Sequence, residues 1–232
     1  MENKNIITRC LRKWVKPLLP ARRRLPFEWW LRSKYERPEP ELVHLDRLAV
    51  RRGVAIDAGA NMGLYALRMA ALFKKVYAFE INAEISRDLK NCGFSNVEVV
   101  DVGLSNRAGP RTLYTPVTGH GLPLHGWASL EPGNFPGTNQ HLETPAMVRP
   151  LDEFGISDCA LIKIDVEGHE LQLLEGAVKT LERGRPVVLI EIRDHHRRQA
   201  GQFFDALGYR ETNLQELIGL PGSPDNSVFL PQ

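Results

Sequence analysis

From residue 54 to the C-terminus, short apolar runs alternate with amphipathic stretches. Residues 54–56, 76–79, 97–102, 161–165 and 187–192 read as buried strands, because runs of Val, Ile, Leu and Ala this short leave no polar face. Residues 64–73, 84–91 and 170–183 carry apolar positions at helical spacing, and Leu171, Leu174, Val178 and Leu181 form the buried stripe of the last. A helix over 199–207 and strands over 209–211 and 227–230 complete the series. Strand–helix–strand alternation predicts right-handed crossovers and a doubly wound, Rossmann-like α/β fold. Its sheet should have seven strands, mostly parallel, with an antiparallel C-terminal edge. Pro and Gly concentrate between 115 and 150, a connection long enough to predict a lid or substrate loop. His120, His125, Trp127, Ser129 and His141 are spread along it, a composition suited to a cover that closes over substrate.

Residues 1–37 follow a different pattern. Ile6, Ile7, Cys10, Leu11, Trp14, Val15 and Leu18 recur at helical spacing with Arg9, Arg12, Lys13 and Lys16 around them, and three arginines and two tryptophans follow at 22–24 and 29–30. This predicts a basic amphipathic helix in an N-terminal arm, with 38–232 as the main domain. Packing of the apolar stripe on the core or on a neighbouring subunit is the expected arrangement; docking on an anionic membrane or an acidic partner is the alternative. The arm holds eleven Lys or Arg against three Glu, so the overall charge of +2 hides a net-negative main domain. With no recognisable reading motif beside the basic stretch, nucleic acid is not the expected partner.

A chain of 232 residues with 43% apolar content can bury one α/β core. Cys10, Cys92 and Cys159 are odd in number and widely spaced, which reads as reduced thiols of structural or incidental use. No run approaches the length of a membrane span, and a signal peptide's apolar core and cleavage site are not visible. The expectation is a cytoplasmic protein, peripheral to the inner face of the membrane if the arm docks there.

The chemistry starts at Asp57-Ala58-Gly59-Ala60-Asn61-Met62-Gly63, placed between a strand and a helix. Gly59 and Gly63 permit a tight reversal and close approach of a ligand to the backbone. Glu80 ends the next strand at the offset where nucleotide-binding sheets place an acid on a ribose diol. Asn61 stands where a D-x-G-x-G-x-G turn has its middle glycine. A pyrophosphate would need that glycine, whereas S-adenosylmethionine carries a ribose and no phosphate, so it suits the turn better than NAD does. A nicotinamide-linked oxidoreductase or epimerase would also want a third turn glycine and a Tyr-x-x-x-Lys pair; neither is present.

Four segments resemble the FkbM family of S-adenosylmethionine-dependent methyltransferases: Asp57 to Gly63; Phe79-Glu80-Ile81-Asn82; Val102-Gly103-Leu104-Ser105-Asn106 with Gly109; and Leu151-Asp152-Glu153-Phe154 leading into I-K-I-D-V-E-G-H-E from Ile162 to Glu170. The last is the most specific. F-E-I-N replaces the commoner F-E-P, and Gly103 the commoner Ala, without loss of a functional group. The resemblance implies a class I methyltransferase sheet, S-adenosylmethionine as cofactor, and transfer to a hydroxyl oxygen of a small molecule or glycan, a sugar or other secondary metabolite being the first expectation. A non-catalytic cofactor-binding or partner subunit of a glycan-assembly complex is the alternative.

On the class I fold the ligand lies beyond the carboxyl ends of the strands. Asp57, Gly59, Asn61 and Gly63 are then expected at the methionine half, Glu80 at the ribose, and Asp101 and Val102 at the adenine, with Asp101 accepting from the exocyclic amine. Asp165, Glu167 and His169 are the candidate catalytic residues. An alcohol needs a base to take its proton, His169 being the candidate by its near-neutral pKa and Glu167 serving equally as a helix cap. Ser129 and Leu130 sit where relatives often have a similar pair, which implies contact with the cofactor. Glu191 should face the same cleft. A metal site drawing on Asp165, Glu167, His169, Glu191, Asp194, His195 and His196 is weighed and not expected, since adjacent residues point in different directions.

Overall fold

The computed structural model describes residues 2–133 and 140–232, with side chains from residue 6 onward. Helix α1 (Glu2–Cys10) runs through a π-turn (Leu11–Val15) and a 3₁₀ turn (Lys16–Leu18) before α2 (Ala21–Tyr35), α3 (Pro40–Val43) and α4 (Leu45–Leu48). The sheet begins with β1 (Val54–Ala58), α5 (Leu64–Ala70), β2 (Lys75–Phe79), α6 (Arg87–Cys92) and β3 (Val97–Val100). A side excursion follows, made of β4 (Gly103–Leu104), β5 (Gly109–Pro116) and β6 (His141–Arg149). The chain then re-enters the sheet through β7 (Cys159–Ile164), α7 (Glu170–Glu175), α8 (Val178–Gly184), β8 (Val187–Glu191), α9 (Asp194–Ala206), β9 (Tyr209–Thr212), α10 (Leu214–Ile218) and β10 (Asn226–Pro231).

Seven strands lie in the order β3-β2-β1-β7-β8-β10-β9. All pairings from β3 to β8 are parallel, and β10 is antiparallel to both β8 and β9. The C-terminal strand is therefore antiparallel, as the sequence implies, and sits one place in from the edge formed by β9. Strand order reverses between β1 and β7, which opens the crevice that positions the site.

Side-chain alternation sends Ala55, Leu161 and Leu189 to one face of the sheet and Ile56, Ile162 and Val188 to the other, all fully buried. The first face packs on α5, α6 and α10, with Leu64, Met69, Leu89 and Leu214 in the cluster; the second packs on α7, α8 and α9, with Leu173, Leu181, Ala200 and Phe204. Two-sided burial explains why β7 and β8 read as unbroken apolar runs. Cys10, Cys92 and Cys159 are all free thiols, and burial pushes the Cys159 thiol up to about 12, far from reactivity at neutral pH.

Three local differences from the sequence reading have physical causes. The helix expected over 170–183 breaks at Gly176, whose backbone lies so close to Ser105 that a Cβ would sit 2.1 Å from its carbonyl oxygen. Asp152 then caps α8 by accepting from the Lys179 and Thr180 amides at 2.9 and 2.8 Å. Strand β3 stops at Val100, because Gly103 and Leu104 leave to pair with β6. Much of the expected lid is sheet: β5 and β6 pair antiparallel from Gly109↔Val148 to Pro116↔His141, and Ser129 folds back onto Tyr114. Pro145 and the exposed side chains of β6 hide that strand in the sequence. Residues 134–139 of the expected lid lie outside the described residues.

The N-terminal stretch also differs from an arm. Leu25 and Leu31 of α2 are fully buried, and Leu25 belongs to the same cluster as α5 and β1. α2 thus packs on the core through Leu25, whereas Ile6, Ile7, Trp14 and Leu18 face outward rather than inward. Among the described residues, no helix is long and apolar enough to cross a membrane.

Candidate active site

The turn after β1 is held by its neighbours on both sides. The amides of Gly59 and Ala60 donate to the Phe79 carbonyl at 3.0 and 2.9 Å, and Gly63 donates to Ala60 at 2.8 Å. Gly59 has φ +79° and faces the chain leaving β7 so closely that a Cβ would lie 1.8 Å from the Asp165 carbonyl oxygen. Gly59→Ala is therefore expected to cost about 2–4 kcal/mol, from left-handed strain plus overpacking; chemical denaturation against the parent protein checks it. Asn61 sits at φ +50°, where Asn is tolerated, and its Oδ1 accepts from the Met62 amide at 2.7 Å. That conformation accounts for Asn in place of the middle glycine.

Glu80 is 7% exposed, with Oε2 accepting from the Asn61 amide at 2.7 Å and Oε1 from the Asn82 amide at 2.8 Å. Burial raises its pKa and the two amides oppose the rise. Each carboxylate oxygen keeps a second lone pair, so the group is fixed in place with acceptor capacity to spare.

Two joined lobes open at the strand ends. A slot of about 70 Å³ is lined by Glu80, Ile81, Val102, Gly103, Leu130 and Glu167 among others. A cavity of about 440 Å³ is lined by Arg32, Glu39, Asp57, Tyr65 and Lys163 among others. Gly59, Asn61, Ile85, His125, Gly126 and Asp165 border both, which puts the turn and Asp165 at the junction.

The cleft is anionic. Asp57 is 2% exposed, its Oδ2 has no hydrogen-bond partner, and burial pushes its carboxyl up to about 7 against the pull of Lys163, its register partner on β7. Glu167, at φ +53°, is likewise pushed up to about 7, by burial and by the Asp165 charge, while Arg193 at 3.2 Å pulls it down. Glu191, expected to face the cleft, lines neither lobe; burial and Asp165 raise it to about 7, opposed by Lys163. Lys163 is 1% exposed; its Nζ donates to the Ile164 carbonyl at 3.2 Å, lies 3.8 Å from Asp165 Oδ2 and sits 5.3 Å from the Tyr65 ring centroid. Tyr65 donates its hydroxyl to Glu39 at 2.7 Å. A buried, unpartnered carboxylate oxygen in a cleft with surplus carboxylates suits a cationic ligand, and Glu80 suits a diol.

Sequence reasoning missed Lys163, Tyr65, Glu39 and Arg32. The signal for Lys163 was available, since a charge inside the apolar run I-K-I requires a buried partner. Glu39 and Arg32 reach the site only because α2 and the chain after it fold against the sheet.

Three candidate residues stand elsewhere. Asp101 turns outward to Lys90 at 2.6 Å, leaving Val102 and Gly103 to line the slot. Gly63 lines neither lobe and serves packing instead: a Cβ there would meet Leu89 at 2.8 Å. His169 is 5% exposed and both ring nitrogens are occupied, Nδ1 by Glu131 at 2.7 Å and Nε2 by Ser105 Oγ at 2.9 Å. The order Ser–His–acid mimics a hydrolase relay, but Ser105 is 1% exposed and lines neither lobe, so the trio clamps the excursion onto the β7 loop. Ser129 joins the same clamp by donating to the Glu167 carbonyl at 2.6 Å, while Leu130 reaches the slot. Of the histidines in the expected lid, His125 borders both lobes, and its Nδ1 lies 3.3 Å from the side-chain Nδ2 of Asn82. His120 and His141 border neither lobe, and Trp127 is half exposed. His195 and His196 begin α9, and among the described residues no group of three or more His, Cys, Asp or Glu is arranged to hold a metal.

Comparison with known proteins bears on this geometry. No curated protein matches the chain. Among solved structures, methyltransferase FkbM from Methylobacillus flagellatus KT superposes with a TM-score of 0.54 at 17% identity, over 78% of this chain and 44% of that one. The chain thus spans less than half the length of that protein. A Streptococcus mutans protein described as a methyltransferase, in complex with SAH, superposes with a TM-score of 0.50 at 15% identity, over 83% of this chain and 98% of that one. The two show that the fold is the class I methyltransferase fold. The family model described as Methyltransferase FkbM domain matches residues 57–212, from the first residue of the glycine turn to the end of β9. The chain belongs to the FkbM family of S-adenosylmethionine-dependent methyltransferases.

Proposed function

We propose that this methyltransferase acts on oxygen, with a hydroxyl of a sugar or other secondary metabolite as acceptor. The observation that supports it is Glu167: a carboxylate on the cleft wall, raised to about 7, is a base poised at neutral pH. An aliphatic hydroxyl requires such a base as it attacks, whereas a neutral amine does not. Surplus carboxylates around the junction also suit a polyol, whose vicinal hydroxyls donate in pairs.

The residues fit the cofactor. Glu80 would accept from the ribose hydroxyls, Val102 and Gly103 would border the adenine, and the backbone of Gly59 and Asn61 would lie along the methionine half. Asp57, with its unpartnered Oδ2, would receive the ammonium. S-adenosylmethionine, when bound, supplies a methyl group on a positively charged sulfur. Asp165, at the junction of the lobes, orients the acceptor hydroxyl, and Glu167 takes its proton.

The reading is tested by following release of S-adenosylhomocysteine with hexoses, pentoses and polyols in parallel with amines and amino sugars of matched size. Turnover with hydroxyl-only acceptors is the expected result. Turnover confined to amines overturns it.

A pH dependence follows from the raised carboxyls. Asp57 and Glu167 sit near 7 rather than near 4, so they are mostly protonated at pH 6 and mostly ionised at pH 8. A cation binds the ionised cleft better, so the preference for S-adenosylmethionine over S-adenosylhomocysteine should grow across that window, by up to about tenfold for one governing carboxyl. Both ligands carry the same ammonium, so Asp57 drops out of the ratio, which isolates the effect of Glu167 on the sulfonium charge. Calorimetric titration of both ligands at the two pH values checks it.

A further inference from the structure

Residues 6–18 are packed inside out. On the inward side of the segment Thr8 is 1% exposed, Arg12 bonds Glu28 at 2.7 Å and Glu36 at 2.6 Å, and Lys16 bonds Asp88 at 2.8 Å. Glu28, itself 1% exposed, also receives Arg32, so an ionic network fastens the segment to α2. The outward side is apolar: Ile6, Ile7, Trp14 and Leu18 are 57, 46, 65 and 84% exposed. Their spacing with Cys10 puts them on one stripe. Ile6, Arg9, Cys10, Lys13 and Trp14 border a shallow groove of about 270 Å³. Arg9, Lys13, Arg22 and Arg23 are exposed and make no ion pair among the described residues.

A water-facing segment normally shows water its ionic side. Here the charges hold the segment down and the large apolar residues are displayed, an arrangement that calls for an apolar partner ringed by negative charge. A second copy of the chain meets that requirement badly, because a two-fold contact would set the same arginines and lysines against each other. Nucleic acid offers no apolar phase for four such side chains.

We propose that the stretch from Glu2 to Leu18 docks on an anionic lipid surface, with Ile6, Ile7, Trp14 and Leu18 entering the headgroup region and Arg9, Lys13, Arg22 and Arg23 contacting lipid phosphates. Two modest signals, apolar anchors and basic charge, act together there. Because Arg12 and Arg32 share Glu28, and Arg32 lines the larger lobe of the cleft, docking also ties the active site to the surface.

The test is flotation of the full chain with vesicles of pure phosphatidylcholine and with vesicles containing one-third phosphatidylglycerol, alongside sedimentation velocity of the protein alone. Three forms are compared: the parent, Trp14→Glu with Leu18→Glu, and Arg9→Glu with Lys13→Glu, each checked for an unchanged melting transition. The expected result is binding to the anionic vesicles only, weakened by salt. The charge-reversed form should partition at least about thirtyfold less, since each basic residue near such a surface contributes about fivefold and the two new carboxylates are repelled. Equal binding to neutral vesicles, or no binding by the folded parent, overturns the proposal. So does a dimer of the parent that the Trp14 and Leu18 changes dissolve, which would make the stripe a self-contact. If the two double variants melt early, Leu18→Ser and Lys13→Ser, both at exposed positions, replace them, with weaker binding expected from each.

Discussion

Glu80→Ala is expected to weaken S-adenosylmethionine binding by about a thousandfold, with the fold retained. A hydrogen bond to a charged group is worth about 1.5–3 kcal/mol, and on the proposed assignment the carboxylate holds two ribose hydroxyls at once. The same carboxylate also accepts from the Asn61 and Asn82 amides at 2.7 and 2.8 Å, so its removal loosens the turn that faces the ligand. Glu80→Gln separates the two roles: one amide-side acceptor survives, the charge is lost, and an intermediate loss of about tenfold to a hundredfold is expected. Calorimetry measures binding, and a melting curve confirms folding. Binding within threefold of the parent by folded Glu80→Ala would remove Glu80 from the ribose.

Glu167→Gln should lower kcat by about 10²–10⁴-fold with KM little changed, the range for losing a positioned base. The signature lies in the pH profile. A base raised to about 7 is protonated and inactive below that value, so the rate of the parent enzyme should climb with pH and level off above it. Glu167→Gln should lose that climb. Arg193 pulls the Glu167 pKa down from 3.2 Å, so Arg193→Ala should move the climb to higher pH without abolishing it. His169→Gln gives the contrast: with the ring engaged by Glu131 and Ser105, its loss should lower stability while the climb stays in place. A climb abolished by His169→Gln and retained in Glu167→Gln would exchange their roles.

How much of this was legible from the sequence depended on the range of the contacts. Strands β1, β7 and β8 were, because burial on both faces writes itself as unbroken apolar runs, and the meeting of the glycine turn with Glu80 was, because the turn and strand end are local to each other. Asp101 was misplaced for a reason of one residue: the chain leaves β3 at Val100 to build a second sheet, and that departure turns the carboxylate to Lys90. His169 was read as a base because the sequence hides two partners 38 and 64 residues away. The larger lobe was invisible, since Arg32 and Glu39 come from the stretch the sequence separates from the main domain or places at its border. The N-terminal stripe was visible, but which side faces the core was not: that is decided by Glu28, Glu36 and Asp88, acids that complement Arg12 and Lys16 only after α2 and α6 have packed.

The most direct measurement is carbon NMR of the products formed with S-adenosylmethionine labelled with carbon-13 at the methyl group, using the acceptor that gives the fastest turnover. An acid cleft with Glu167 as base predicts the label on an oxygen-bound methyl carbon of a sugar or other hydroxylated acceptor. Label on nitrogen or on carbon, or no transfer by a folded protein that binds the cofactor across every hydroxylated acceptor tried, would contradict it.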